Sequence, residues 1–152
     1  MIMRYLHTMI RTNDLDRTLN FFCDILGFRE VRRVDNENGQ FTLVFLCASA
    51  DDYQTESSSP LIEITYNWPS DSGDVENYTS GRNFGHIAFA VDHIYDLCEK
   101  IIKAGVVLNR PPRDGRMAFI KTPDGISIEL LQSGEPLEIK DPWASMENVG
   151  TW

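Results

Sequence analysis

A strand with a histidine near its head, followed much later by a strand holding an Ile-Glu pair, occurs twice in this sequence in the same order. The stretches LHTMIR (6–11) and LIEITYN (61–67) carry His7 and Glu63, and FGHIAFAV (84–91) and SIELLQ (127–132) carry His86 and Glu129. Each half also holds one amphipathic segment and two further strand-like runs between its histidine and its glutamate. A chain built this way is predicted to fold as two like modules, each β-α-β-β-β, giving an α+β fold.

Local signals set the expected element boundaries. In the first half a strand runs from about Met3 to Arg11. The stretch NDLDRTLNFFCDILGF then reads as a helix: Asn13 or Asp14 can cap it, and Leu15, Leu19, Phe22, Ile25 and Leu26 recur at helical spacing. Gly27 stands where a left-handed terminal residue would stop it. FREVRRV and FTLVFLC are strands joined by DNENGQ, a hairpin signal, and the polar loop ADDYQTESSS leads to a strand at Leu61 to Asn67. The segment PSDSGDVENYTSGRN has no apolar period and is expected to cross between the halves. In the second half, strand 84–91 leads into DHIYDLCEKIIKAG, a helix with Asp92 as cap and Gly105 as stop. VVLNR, MAFIKT and ISIELLQ follow as strands, with a tight PDG turn before the last. The reading is one domain over 1–132, with module 1 at about 3–68 and module 2 at about 84–132. Residues 133–152, SGEPLEIKDPWASMENVGTW, are expected to form an extended tail laid over a surface by Trp143 and Trp152.

Charge and cysteine usage exclude several functions. With 23 acidic against 14 basic side chains the net charge is −9, so a basic face for a phosphate backbone is absent and nucleic acid is excluded as a partner. An anionic small substrate would need specific local arginines to offset that field. Cys23, Cys47 and Cys98 are odd in number, widely spaced and free of any CxxC motif, which reads as reduced thiols in a cytoplasmic protein. MIMRYLHTM has no long apolar run or cleavage site, so no secretion signal is expected, and no run approaches a membrane span.

Strand alternation then sorts the polar residues onto faces. His7, Met9 and Arg11 share one face of their strand; Glu63, Thr65 and Asn67 share one face of theirs. His86 lies beside Ala88 and Ala90, small residues that leave space, while Glu129 lies with Ser127 and Leu131. Each histidine and glutamate falls opposite the densest apolar row, on a side expected to curve around a cleft. A lone buried carboxylate is costly, whereas two imidazoles and two carboxylates suit a borderline divalent metal such as Zn²⁺ or Ni²⁺. Two ligand charges would match the ion's two, and octahedral geometry would leave two positions for water or substrate. His93, beside the second helix cap, reads as a surface residue. Arg11 and Asn67 each stand four residues beyond a proposed ligand on the same face, about 13 Å away at ~3.3 Å per residue. That span suits an extended substrate with its reacting end at the metal and its charged end remote.

These residues resemble glyoxalase I (lactoylglutathione lyase), in the vicinal-oxygen-chelate superfamily. The matching stretches are LHTMIRTNDLDRTLNFFCDILGF, IEITYNW, FGHIAFAVDHI and AFIKTPDGISIELL, which span nearly the whole of residues 5 to 132. The resemblance implies paired half-barrels, with metal sites enclosed between the subunits of a homodimer. His7 and Glu63 of one chain would bind the ion with His86 and Glu129 of its partner. It also implies isomerisation of the hemithioacetal of methylglyoxal and glutathione to S-lactoylglutathione, through an enediolate stabilised by the metal as Lewis acid. Glu129 is then the expected base, with Glu63 the second candidate. Arg11, Asn67 and Arg82 match positions that hold the γ-glutamyl end. The segment NRPPRDGRMAF is shorter than the family's glycine-binding loop and lacks its lysine-containing stretch, so Arg113 or Arg116 would substitute. Short loops resemble the bacterial type that prefers Ni²⁺ or Co²⁺, while Zn²⁺ is the commoner ion for such a donor set. The competing readings are another metal-dependent member of the superfamily acting on a related thiol adduct or small molecule, and a metal-free binder. Extradiol dioxygenases and fosfomycin-type transferases generally use one glutamate with two histidines, so Glu63 as a fourth ligand favours glyoxalase.

Overall fold

The computed structural model describes residues 3–54, 59–79 and 81–152, in two units, Met1–Thr79 and Ser80–Trp152. Unit 1 contains β1 (His7–Thr12), α1 (Leu15–Leu19), β2 (Arg29–Asn36), β3 (Phe41–Cys47) and β4 (Leu61–Asn67). Unit 2 contains β5 (His86–Val91), α2 (Ile94–Lys103), β6 (Leu108–Arg110), β7 (Met117–Lys121) and β8 (Ser127–Gln132). The duplicated β-α-β-β-β order is therefore present. Part of the polar loop predicted at 50–59 lies outside the described residues, at 55–58, as does Ser80 of the segment expected to cross between the halves.

Each unit is one four-stranded mixed sheet, and the two have the same connectivity. In unit 1 the order is β1-β4-β3-β2, and in unit 2 it is β5-β8-β7-β6. The first and last strands of each unit pair in parallel, and the other neighbours are antiparallel. Strand β1 begins at His7, later than the Met3 expected from propensity. Ladder pairing with β4 starts only there, at His7 opposite Leu61.

The core follows the alternation. In unit 1, Ile10, Val44, Leu46, Ile62 and Ile64 are buried together with Phe21, Phe22, Ile25 and Phe28. The helix differs from a regular α-helix: α1 lasts five residues and continues as a π-helix over Asn20–Ile25. Phe21 and Phe22 are both buried and meet edge to face at 5.1 Å, while the expected core leucines 15, 19 and 26 are only half-buried. Asp14 is the cap, accepting from the Arg17 N–H at 2.9 Å, and Gly27 follows with φ +81°.

In unit 2, α2 packs on β6, β7 and β8, burying Ile94, Tyr95, Cys98 and Ile101 against Leu108, Ile120, Ile128 and Leu130. Here the cap expected at Asp92 belongs to His93, whose Nδ1 accepts from the Asp96 N–H at 3.3 Å. His93 has the extended backbone of a cap residue, and the adjoining Ile94 N–H is taken by Gln132 Oε1 at 2.8 Å. Asp92 instead offers its carbonyl to Gln132 Nε2. The 133–152 segment has no helix or strand. Leu137 N donates to Gly115 O, Glu138 O accepts from Tyr95, and Trp143 is buried, stacked on Tyr95 at 5.5 Å with planes 5° apart. Gly115, at φ +67°, lies so near the Leu137 carbonyl oxygen that there is no room for a Cβ.

Candidate active site

The registers bring each histidine to its glutamate. Glu63 lies opposite Met9 on β1, two residues after His7, and Glu129 lies opposite Ala88 on β5, two residues after His86. Directly paired residues project to one face, and residues two apart do so too. His7 Nε2 is 3.0 Å from Glu63 Oε2, and His86 Nε2 is 3.1 Å from Glu129 Oε2. The glutamates are the more sheltered partners, at 12% and 15% side-chain exposure against 40% and 44% for the histidines.

Both pairs are backed by a phenylalanine from the third strand. Phe45 is the register partner of Glu63 and Phe119 that of Glu129. Their rings meet His7 and His86 edge-on at 5.9 and 5.5 Å. This packing limits ring rotation of the imidazoles and holds Nε2 toward the carboxylate. A β-bulge precedes the arginine opposite each phenylalanine: Glu30/Arg32 in β2 and Leu108/Arg110 in β6.

The donor chemistry suits a divalent ion. An imidazole nitrogen and a carboxylate oxygen about 3 Å apart have the spacing of adjacent ligands at right angles on an ion with bonds of about 2.1 Å. The same distance also accommodates an N–H···O hydrogen bond. Among the described residues, no three His, Cys, Asp or Glu side chains gather at metal-binding distance. Each pair supplies two such donors from one sheet face.

The other predicted residues have varied surroundings. Arg11 is exposed on the same face of β1 as His7, opposite Thr65. Asn67, at the end of β4, donates through Nδ2 to Glu76 at 2.9 Å, and Glu76 also accepts from Tyr78. Arg82 is exposed in the segment before β5. Arg113 is turned to the 133–152 segment, donating from Nη1 to Met146 O at 2.9 Å and Asn148 Oδ1 at 2.8 Å. Arg116 is exposed, with a single long contact from its guanidinium to Gly134 O at 3.5 Å. Sequence reading overlooked Arg32 and Arg110, the residues opposite the two phenylalanines. Arg32 lies over the Phe45 ring at 3.8 Å. The side chain of Arg110 is drawn to Asp114, at 2.9 Å, and to the Met117 and Pro111 carbonyls. Equal offsets from the bulges could have flagged the pair, but bulges leave no mark in residue spacing.

Two βαβββ units, each presenting a histidine and a glutamate on one sheet face, define a class of protein. A family model, Glyoxalase/Bleomycin resistance protein/Dioxygenase superfamily, matches residues 4–130, and the chain belongs to that superfamily. Within it, the chain is similar to a probable lactoylglutathione lyase of Synechocystis, 43% identical over 84% of this chain and 94% of that one. A lactoylglutathione lyase of Neisseria meningitidis is 38% identical over 86% of this chain and 91% of its own. Among solved structures, the trypanothione-dependent glyoxalase I of Leishmania major superposes with a TM-score of 0.74 at 38% identity, covering 86% of this chain and 87% of that one.

Proposed function

We infer that this chain is a glyoxalase I, converting the hemithioacetal of an α-ketoaldehyde and glutathione into the corresponding 2-hydroxyacyl thioester. Similarity to lactoylglutathione lyases over most of the chain supports the activity. The single structural observation that carries it is the doubled His–Glu pair at 3.0 and 3.1 Å. His7 and Glu63 of one protomer, with His86 and Glu129 of its partner, would hold one divalent ion, Ni²⁺ or Zn²⁺ being best suited and Co²⁺ acceptable. Such an ion, when bound, supplies Lewis-acid stabilisation to two vicinal oxygens. A homodimer with two sites gives every half-set its complement.

The protein's own groups perform the proton transfer. Glu129 takes the proton from the carbon that bears sulfur and returns it to the neighbouring carbon, and Glu63 holds the opposite side of the substrate. No electrons leave the substrate, so the reaction is an isomerisation. His86, braced by Phe119, orients the Glu129 carboxylate. Arg11 and Arg82 meet the carboxylate of the γ-glutamyl end and Asn67 its amine, Glu76 fixing the Asn67 amide. Arg116 is the cation for the glycyl carboxylate, since Arg113 is already employed by the C-terminal segment.

The test is reconstitution. Metal-stripped protein should be inactive toward the glutathione adduct of methylglyoxal and regain thioester formation with Ni²⁺ or Zn²⁺ at about one ion per chain. Full activity in the stripped protein, or none with any divalent ion, overturns the reading.

A further inference from the structure

Phe119 does more than brace His86. Its second contact is Trp152, whose indole stacks on the ring at 5.9 Å with planes 29° apart. Phe119 projects from the sheet face that carries Glu129 and His86, so the indole reaches the site side of unit 2. Phe119 is buried beneath these neighbours, while Trp152 remains 43% exposed.

The chain is led there by specific bonds. Val149 N donates to Asn109 O, and Asn109 Nδ2 returns a bond to Val149 O, both at 2.9 Å. Asn109 stands at the bulge of β6, between Leu108 and Arg110. Arg113 holds the preceding turn through Met146 O and Asn148. With Arg110 drawn toward Asp114, the face of Phe119 is taken by an aromatic group.

We propose that Trp152 is a specificity-determining residue: its indole forms an apolar wall beside His86 and Glu129 and favours hemithioacetals whose carbonyl-derived substituent is planar and aromatic over those bearing a methyl group. The proposal rests on the glyoxalase I reading. A flat ring stacks on an exposed indole face, whereas a methyl group covers little of it. A structural brace alone would leave the ratio between the two substrates unchanged, and that ratio distinguishes the roles.

The experiment compares wild type, Trp152→Ala, Trp152→Phe and Arg113→Ala on the glutathione adducts of phenylglyoxal and methylglyoxal, with metal content checked for each. Trp152→Ala should lose roughly tenfold in kcat/KM with phenylglyoxal and stay within about twofold with methylglyoxal. Trp152→Phe should recover most of the loss, and Arg113→Ala, which frees the turn, should shift the ratio in the same direction. A parallel fall with both substrates, or no change with either, overturns the proposal. If wild-type protein turns over neither adduct, the glyoxalase I reading fails by itself. Indole fluorescence then decides: stronger quenching by S-benzylglutathione than by S-methylglutathione, lost in Trp152→Phe, upholds Trp152 as the wall, and equal or absent quenching rejects it.

Discussion

At Phe45 the first half places a guanidinium over the ring; at Phe119 the second half places an indole. The two rings are equivalent in register, each opposite its glutamate and each packed against the edge of its histidine. The arginines facing them, Arg32 and Arg110, are equivalent too and follow equivalent bulges. What differs is their neighbours. Arg32 is exposed and stays over Phe45, whereas Asp114 and two carbonyls pull Arg110 aside. A duplicated scaffold has thus kept its His–Glu pairs alike while its flanks diverged, one cationic and one aromatic.

The largest test of that comparison is at the glutamates. Glu129→Gln should lower kcat by about 10²–10⁴-fold, the usual worth of a positioned base. Glu63→Gln should lose less kcat at saturating metal, measured by single-turnover kinetics. Equal losses would mean that the two halves are chemically alike and that the base cannot be assigned to the second.

Trp143→Ala should come next, reducing stability by about 3–5 kcal/mol, because the indole is buried against Tyr95. Urea denaturation measures the loss. A change below 1 kcal/mol would show that unit 2 does not depend on the 133–152 segment.

The paired arginines should then separate. Arg32→Ala should raise KM for the anionic adduct by a few-fold, with a stability loss of about 0.5–1 kcal/mol from the lost ring contact. Arg110→Ala should instead lower stability and leave KM nearly unchanged. A KM rise in both would erase the distinction between the two flanks.

The smallest effect is acid sensitivity at Asp114. Burial tends to raise its pKa, but bonds from the Arg116 N–H, the Arg110 guanidinium and the Met117 N–H outweigh that and hold it below the ordinary carboxylate value. The folded-state pKa being depressed, its stabilisation is present above the unfolded value, about 3.9, and is lost as pH falls through the folded value. The Tm gap between wild type and Asp114→Asn should therefore narrow as pH drops below about 4. A gap that stays constant down to pH 2 would remove Asp114 as the group that diverts Arg110.

Much of the fold could be read from residue order because alternation and turn chemistry act locally. The strand at Leu61–Asn67, the Asp14 cap and the Gly27 and Gly105 stops all depend on neighbours within a few positions. The readings that shifted depended on distant partners. Asp92 looks like a cap from its neighbours, yet Gln132, 38 residues after Ile94, takes the Ile94 N–H and His93 becomes the cap. The π-helix over Asn20–Ile25, in which Phe21, Phe22 and Ile25 are buried, likewise departs from the regular helical spacing read in the sequence.

By itself the order of residues determined that there are two like modules, and that each puts its histidine and its glutamate on a face of opposite character from its apolar row. Alternation along a strand needs nothing beyond the chain's own geometry. Tertiary pairing decided the rest: which residue lies opposite which, and so the spacing of about 3 Å within each His–Glu pair. It also decided that Arg113 serves the C-terminal segment and that Trp152 rests on Phe119. Those contacts join residues more than thirty positions apart, where no local preference reaches and only register and packing choose the partner.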